Sequence, residues 1–142
     1  MNIIGDDEFG PVPEDHPDAQ AIDLLGPQTP AFTLAYLRAS PDCVILLNPQ
    51  GRITFMSENG REAMEFDHLR DVVGRPWWEM WPEDGAGTVE RAVAAGAEGR
   101  MMRFQGDCPT AKGTSKTWDV TLSPIVNNDG RTESLLAVCR EI

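Results

Sequence analysis

The chain has 142 residues, 41% of them hydrophobic, and a formal net charge of −11. That length holds one domain with a core large enough to fold without disulfide or metal staples. The acidity removes any electrostatic footprint for nucleic acid or anionic lipid, no stretch nears the ~20 apolar residues of a membrane span, and the acidic N-terminus is unlike a signal peptide.

The charge is unevenly placed. Residues 1–30 hold seven carboxylates (Asp6, Asp7, Glu8, Glu14, Asp15, Asp18, Asp23) and no Lys or Arg, leaving 16 acids against 12 bases in the remainder. Residues 1–28 are also rich in Pro and Gly, with Phe9 their only aromatic residue. Such a segment buries too little apolar surface to offset its ordering entropy, which predicts a flexible acidic tail. Its apolar run at 19–25 is a candidate helix against a partner.

Thr29-Pro30 predicts a helix start, with Thr as N-cap and Pro at the first position. This short amphipathic helix, residues 29–39, carries Ala31, Leu34 and Leu37 on its stripe and stops at Ser40-Pro41-Asp42. Two β-prone runs follow, Cys43–Leu47 and Ile53–Met56. Asn48-Pro49-Gln50-Gly51 between them has the residue pattern of a type I turn, so a β-hairpin is expected. Ser57 is placed to cap a helix from Glu58, with Ala63, Met64 and Phe66 inward and Glu58 and Glu62 favouring its first turns. A short helical turn over 67–71 leads into Gly74-Arg75-Pro76-Trp77-Trp78-Glu79-Met80-Trp81-Pro82. Three of the four tryptophans fall there, a cluster expected only in a core, an interface or a pocket wall.

The spacing of Val89, Ala92, Val93 and Gly96 predicts a helix over 88–97, with Glu90, Arg91 and Ala94 outward and Gly99 as its stop. Residues 101–105 read as a strand. Residues 117–123 alternate cleanly, with Trp118, Val120 and Leu122 on one face. Asn128-Asp129-Gly130 signals a hairpin whose return strand is 134–139. The loop at 106–116 reads as polar and mobile. The order β-β-α-α-α-β-β-β places an antiparallel sheet under helices grouped on one face, an α+β domain able to enclose a cavity.

In this arrangement residues 40–142 resemble a PAS domain, the sensory and dimerisation module of bacterial signalling proteins. The resemblance rests on Ser40-Pro41-Asp42-Cys43-Val44-Ile45 with Gly51-Arg52-Ile53, on Ser57-Glu58-Asn59-Gly60-Arg61-Glu62-Ala63, and on Val73-Gly74-Arg75-Pro76 with Trp78 and Trp81-Pro82. Trp118-Asp119-Val120-Thr121-Leu122-Ser123-Pro124-Ile125 is similar to the family's penultimate strand. It implies a five-stranded antiparallel sheet plus the N-terminal helix. Arg140-Glu141-Ile142 is similar to the family's Asp-Ile-Thr exit, with Glu in place of Asp and no Thr. It implies a cytoplasmic sensor upstream of an effector domain following Ile142, most often in a sensor histidine kinase of a two-component system. It also implies a homodimer through the N-terminal helix and outer sheet face.

The resemblance also narrows the chemistry. The light-sensing LOV relatives need Gly-Arg-Asn-Cys-Arg-Phe-Leu-Gln; where they keep the flavin-reactive cysteine and its arginine, this chain has Trp77 and Trp78. LOV-type covalent flavin chemistry is therefore not expected. Haem is not expected either, because helix 88–97 has no histidine; His68 reads as a surface residue and His16 lies in the tail. With two histidines in all, neither a metal site nor a Ser-His-Asp triad is expected. Cys43 and Cys139 read as buried and inert, and three cysteines without CxxC spacing suit a reducing compartment. The candidate contacts for a small ligand, or for FAD as a redox sensor, are Asn59, Trp77, Trp78, Trp81 and Trp118, with Arg75 or Arg103 for a phosphate. A competing expectation is that Trp78 and Trp81, three apart, simply pack a short helix onto the sheet. Catalysis would rest on Glu79, Asp84 or Asp119, each read more simply as a solvated residue, so the isolated chain is expected to be a non-enzyme.

Overall fold

The computed structural model describes residues 5–10, 24 and 26–142. In chain order they form β1 (Gly5–Gly10), α1 (Thr29–Ala39), β2 (Cys43–Leu47), β3 (Ile53–Met56), α2 (Glu58–Ala63), α3 (Glu83–Ala97), β4 (Met101–Asp107), β5 (Thr117–Val126) and β6 (Thr132–Glu141). Short 3-10 turns occupy Gly26–Gln28, Leu69–Asp71 and Trp77–Met80. The sheet order is β1-β4-β5-β6-β2-β3, antiparallel throughout. The five expected strands are present. No described helix is long and apolar enough to cross a membrane.

A sixth strand is the main departure. Gly5–Gly10 lies within the 1–28 segment read as a tail, yet it pairs with β4, Asp7 opposite Arg103 and Glu8 opposite Met102. Backbone pairing explains this: the outer edge of β4 offers unpaired N–H and C=O groups that an acidic, apolar-poor strand can still satisfy. The apolar run at 19–25 falls almost wholly outside the described residues; Leu24, the one described member, is exposed.

The two hairpins share one turn chemistry. Asn48 Oδ1 accepts from the N–H groups of Gln50 and Arg52, and Asn127 Oδ1 from those of Asp129 and Arg131. Gly51 and Gly130 close these turns at φ 86° and 78°, where a side chain would be strained. Ser57 caps α2 as expected, accepting from Gly60 N–H and also from Val44 N–H of β2. Thr29 is not a cap. It lies inside α1, and its hydroxyl donates to the Gly26 carbonyl.

Helix α3 begins at Glu83, five residues before the expected start. Pro82 ahead of the helix and Glu83 and Asp84 in its first turn favour this earlier initiation. Gly85, Val89, Ala92, Val93 and Gly96 form its buried face. Gly96 is needed for contact: a Cβ there would meet Leu135 Cδ2 at 3.0 Å. Beneath the helix, β5 buries Trp118, Val120 and Leu122 on the predicted face, joined by Phe104, Leu135 and Ala137 from its neighbours.

The tryptophan stretch packs differently from the expected i, i+3 pair. Trp77 and Trp81 are the buried members, their rings edge to face at a centroid distance of 6.0 Å. Both meet Phe104, at 6.2 and 5.6 Å. Trp78 is half-buried and lies over Gly51, where an added Cβ would come within 2.4 Å of its ring. The reason is the backbone. Trp77 N–H donates to Gly51 O, which fixes Trp77 inward and turns Trp78 toward the hairpin.

Truncating Trp77 to Ala should therefore cost about 3–5 kcal/mol in denaturant unfolding, and Trp78→Ala clearly less. Equal losses would contradict the assignment of Trp77 to the core.

Candidate functional site: a sulfur- and indole-lined cavity

At the centre of the domain, between the sheet and the 58–81 segment, lies a void of about 10 Å3. Three thiols (Cys43, Cys108, Cys139) and two thioethers (Met64, Met80) face it. Trp77, Trp81, Trp118 and Ile45 complete the wall. A volume of that size holds about one water. The side chains themselves fill the cavity.

Cys43 and Cys139 are register partners on β2 and β6, and both are buried. All three cysteines are free thiols. Burial pushes the Cys108 thiol up to about 12, with Cys43 adding to the effect. Cys139 is raised well above the ordinary thiol value by its hydrogen bond with Cys43 and by burial. The Cys108 and Cys139 thiols stay protonated at neutral pH and are poor nucleophiles. Cys108 Sγ donates to Met80 O at 3.2 Å, and Trp118 Nε1 donates to Cys108 O at 3.1 Å.

Among the described residues one buried side-chain polar atom is left without a protein partner. The indole N–H of Trp81 is buried without a hydrogen-bond partner. A buried donor in that state costs about 1–3 kcal/mol.

The predicted site residues divide. Trp77, Trp81 and Trp118 line the void; Trp78 and Asn59 do not. Asn59 Nδ2 donates to the carbonyls of Leu37, Arg38 and Ser40, tying the end of α1 to α2. Arg75 is exposed in a cleft beside Met64 and Met80, outside the void. Arg103 pairs with Asp119 at 2.8 Å and holds that carboxyl below the usual carboxylate range. Asp119 is thus engaged in an ion pair on the sheet, and Glu79 is exposed. His68 is likewise exposed, its backbone N–H bonded to Asp71. Among the described residues no cluster of three or more His, Cys, Asp or Glu side chains has metal-binding geometry.

The loop at 106–116 also departs from expectation. It is a strap bound to the end of α2. Ala111 N–H donates to Met64 O at 2.9 Å, and Lys116 Nζ to Ala63 O at 2.8 Å. The hydroxyls of Thr110 and Thr114 both donate to the Glu65 carboxylate, and these two bonds lower its pKa. Cys108 and Thr110 are buried. A signal for this was present: Met102, Phe104, Gly106, Cys108 and Thr110 continue one period-2 alternation past the end of β4.

No curated protein matches the chain. Among solved structures, it is similar to an RNA-binding Light-Oxygen-Voltage receptor at TM-score 0.72 and 12% identity. That match covers 99% of this chain and 38% of the receptor, so the chain spans well under half of that protein. The PAS domain of an HTR-like protein from Haloarcula marismortui is similar at TM-score 0.67 and 20% identity, over 87% of this chain and 99% of that one. A PAS domain from Colwellia psychrerythraea is similar at TM-score 0.70 and 12% identity, over 79% and 95% of the two chains. These likenesses concern the fold. The sequence profile of the PAS fold family matches residues 37–142, about three quarters of the chain, and with the strand order above it shows that the chain belongs to the PAS fold family, whose members serve as sensory modules.

Proposed function

We propose that this PAS domain senses a small, mostly apolar ligand bearing one hydrogen-bond acceptor. The unpartnered Trp81 indole N–H beside the central void carries this reading, because buried polar groups are rarely left unpaired without a role. The remaining wall offers sulfur, indole and aliphatic groups, which suit an apolar body. The void fits no ring system with the side chains as they stand, so binding requires Met64 or Met80 to change rotamer. An FAD isoalloxazine would require far larger movement, and Arg75 and Arg103, the intended phosphate partners, lie outside the void. The flavin alternative is the weaker reading on these grounds.

The relay from cavity to exit strand runs through Lys116. Its ammonium lies 5.8 Å from the Trp118 ring centroid, donates to Ala63 O, and pairs with Glu141 at 3.2 Å. Ile142 N–H bonds to Thr117 O beside it. Movement of Trp118 would reach the end of β6, and from there an effector domain such as a histidine kinase in a cytoplasmic signalling protein.

The same proposal includes self-association through α1. Phe32, Leu34 and Tyr36 are each about half exposed at 53%, 50% and 51%, and none of the helix is buried. Phe32 and Tyr36, four apart, share one side and Leu34 lies opposite, so α1 shows apolar surface on two sides rather than on the single stripe expected of it. Such a helix calls for cover, which a second copy can supply.

Native mass spectrometry of protein purified without denaturation should show a retained small ligand, lost in Trp81→Phe and kept in Trp78→Phe. Equal retention in both would refute the Trp81 contact. Deleting residues 1–39 should reduce the mass measured by light scattering from dimer to monomer; an unchanged mass would remove α1 from the interface.

A further inference from the structure

We propose that ligands reach the cavity through a single port, between Met64, Met80 and the 108–116 strap, and that Glu65 latches it. This rests on the ligand-binding reading, but the port is testable without any ligand. On the outer side of the strap a cleft of about 190 Å3 opens beside Pro109 and Thr110. Met64 and Met80 line both this cleft and the inner void. Cys108 faces the void and its neighbour Pro109 the cleft, so the strap and two thioether chains lie between the two. Unbranched thioethers change rotamer easily, which makes this the yielding part of the wall.

The other walls are stiffer. Cys43, Ile45 and Cys139 sit on paired central strands, where opening would break the β2–β6 ladder. The strap belongs to no sheet ladder at its tip: Ala111 N–H to Met64 O, Lys116 to Ala63 O and the two threonine hydroxyls to Glu65 tie it to the end of α2. Single contacts from Cys108 to Met80 O and Trp118 Nε1, Lys112 to Asp67 and Lys116 to Glu141 hold the rest. Local opening takes the route that breaks the fewest contacts. Glu65 itself is held at φ 59°, a left-handed conformation uncommon outside glycine, which aims its carboxylate at both hydroxyls. Releasing the latch frees the strap and exposes Cys108 first.

The test is the modification rate of each cysteine in the full chain by methyl methanethiosulfonate, followed by peptide mass analysis. Cys108 should react at least roughly tenfold faster than Cys43 and Cys139, because local opening is more frequent than global unfolding. Glu65→Gln and Thr114→Val should each accelerate Cys108 several-fold, leave the other two rates unchanged, and leave the denaturant midpoint nearly where it was. Three equal rates that follow global stability would overturn the port, as would faster reaction at Cys43 or Cys139. A Cys108 rate unaffected by both variants would overturn the latch. If the cysteine pattern holds and no ligand is retained, the port stands and the ligand reading fails.

Discussion

Along the free edge of β3, Gly74 N–H donates to Ile53 O at 2.7 Å and Ile53 N–H to Arg75 O at 3.0 Å. Trp77 N–H donates to Gly51 O at 2.9 Å, and the Arg52 guanidinium adds a bond to Gly74 O at 2.8 Å. This clamp joins the first hairpin to the tryptophan segment, and the interior depends on it. Gly51 must lack a side chain for Trp78 to lie over it, and its positive φ completes the turn that presents its carbonyl to Trp77. With that bond made, Trp77 and Trp81 can only face Phe104 and the sheet. A core aromatic cluster is thus positioned by main-chain geometry, and the cavity is the small remainder that the cluster leaves.

That origin explains which features could be read from the sequence. Period-2 alternation at Trp118-Asp119-Val120-Thr121-Leu122 and helical spacing at Val89, Ala92 and Val93 report burial directly. The strands, the hairpins and the α3 face were therefore legible. Asn48-Pro49-Gln50-Gly51 and Asn128-Asp129-Gly130 announce their turns by a local mechanism, which involves only neighbours in the chain, although the side chain that closes the second turn is that of Asn127. The choice between Trp77 and Trp78 was not legible, because it is made by a hydrogen bond to Gly51, more than twenty residues away. Asn59 has the polarity of a ligand contact but spends its amide on three carbonyls at the end of α1. The β1 strand was hidden for the opposite reason: its pairing with β4 uses the backbone, to which composition is nearly blind.

The strap at 108–116 ties these themes together. Its Gly, Pro, Thr and Ser content looked like that of a free loop, yet its alternation continues that of β4, and its hydroxyls find Glu65. The same segment delivers Cys108 to the void, receives the Trp118 indole N–H on the Cys108 carbonyl, and ends at Lys116 against Glu141. Cavity, cover and exit strand are therefore joined by one short stretch of chain. A sensory domain needs such a connection, since a ligand can shift an output only through contacts that differ between bound and free states. The tightness of the interior is part of the same logic: a cavity filled by its own side chains cannot accept a ligand without moving them.

The central claim is that Trp81 holds an unsatisfied donor beside the side-chain-filled central void. It is tested most directly by the indole N–H resonances of the four tryptophans in isotope-labelled protein, followed while small apolar ketones and aromatic heterocycles are added. The account predicts that the Trp81 resonance begins at a position typical of a non-hydrogen-bonded indole. It should then move downfield on binding, with the Trp118 resonance following as the strap adjusts and that of Trp78 unmoved. A Trp81 resonance already hydrogen-bonded in the free protein and unchanged by every probe would contradict it.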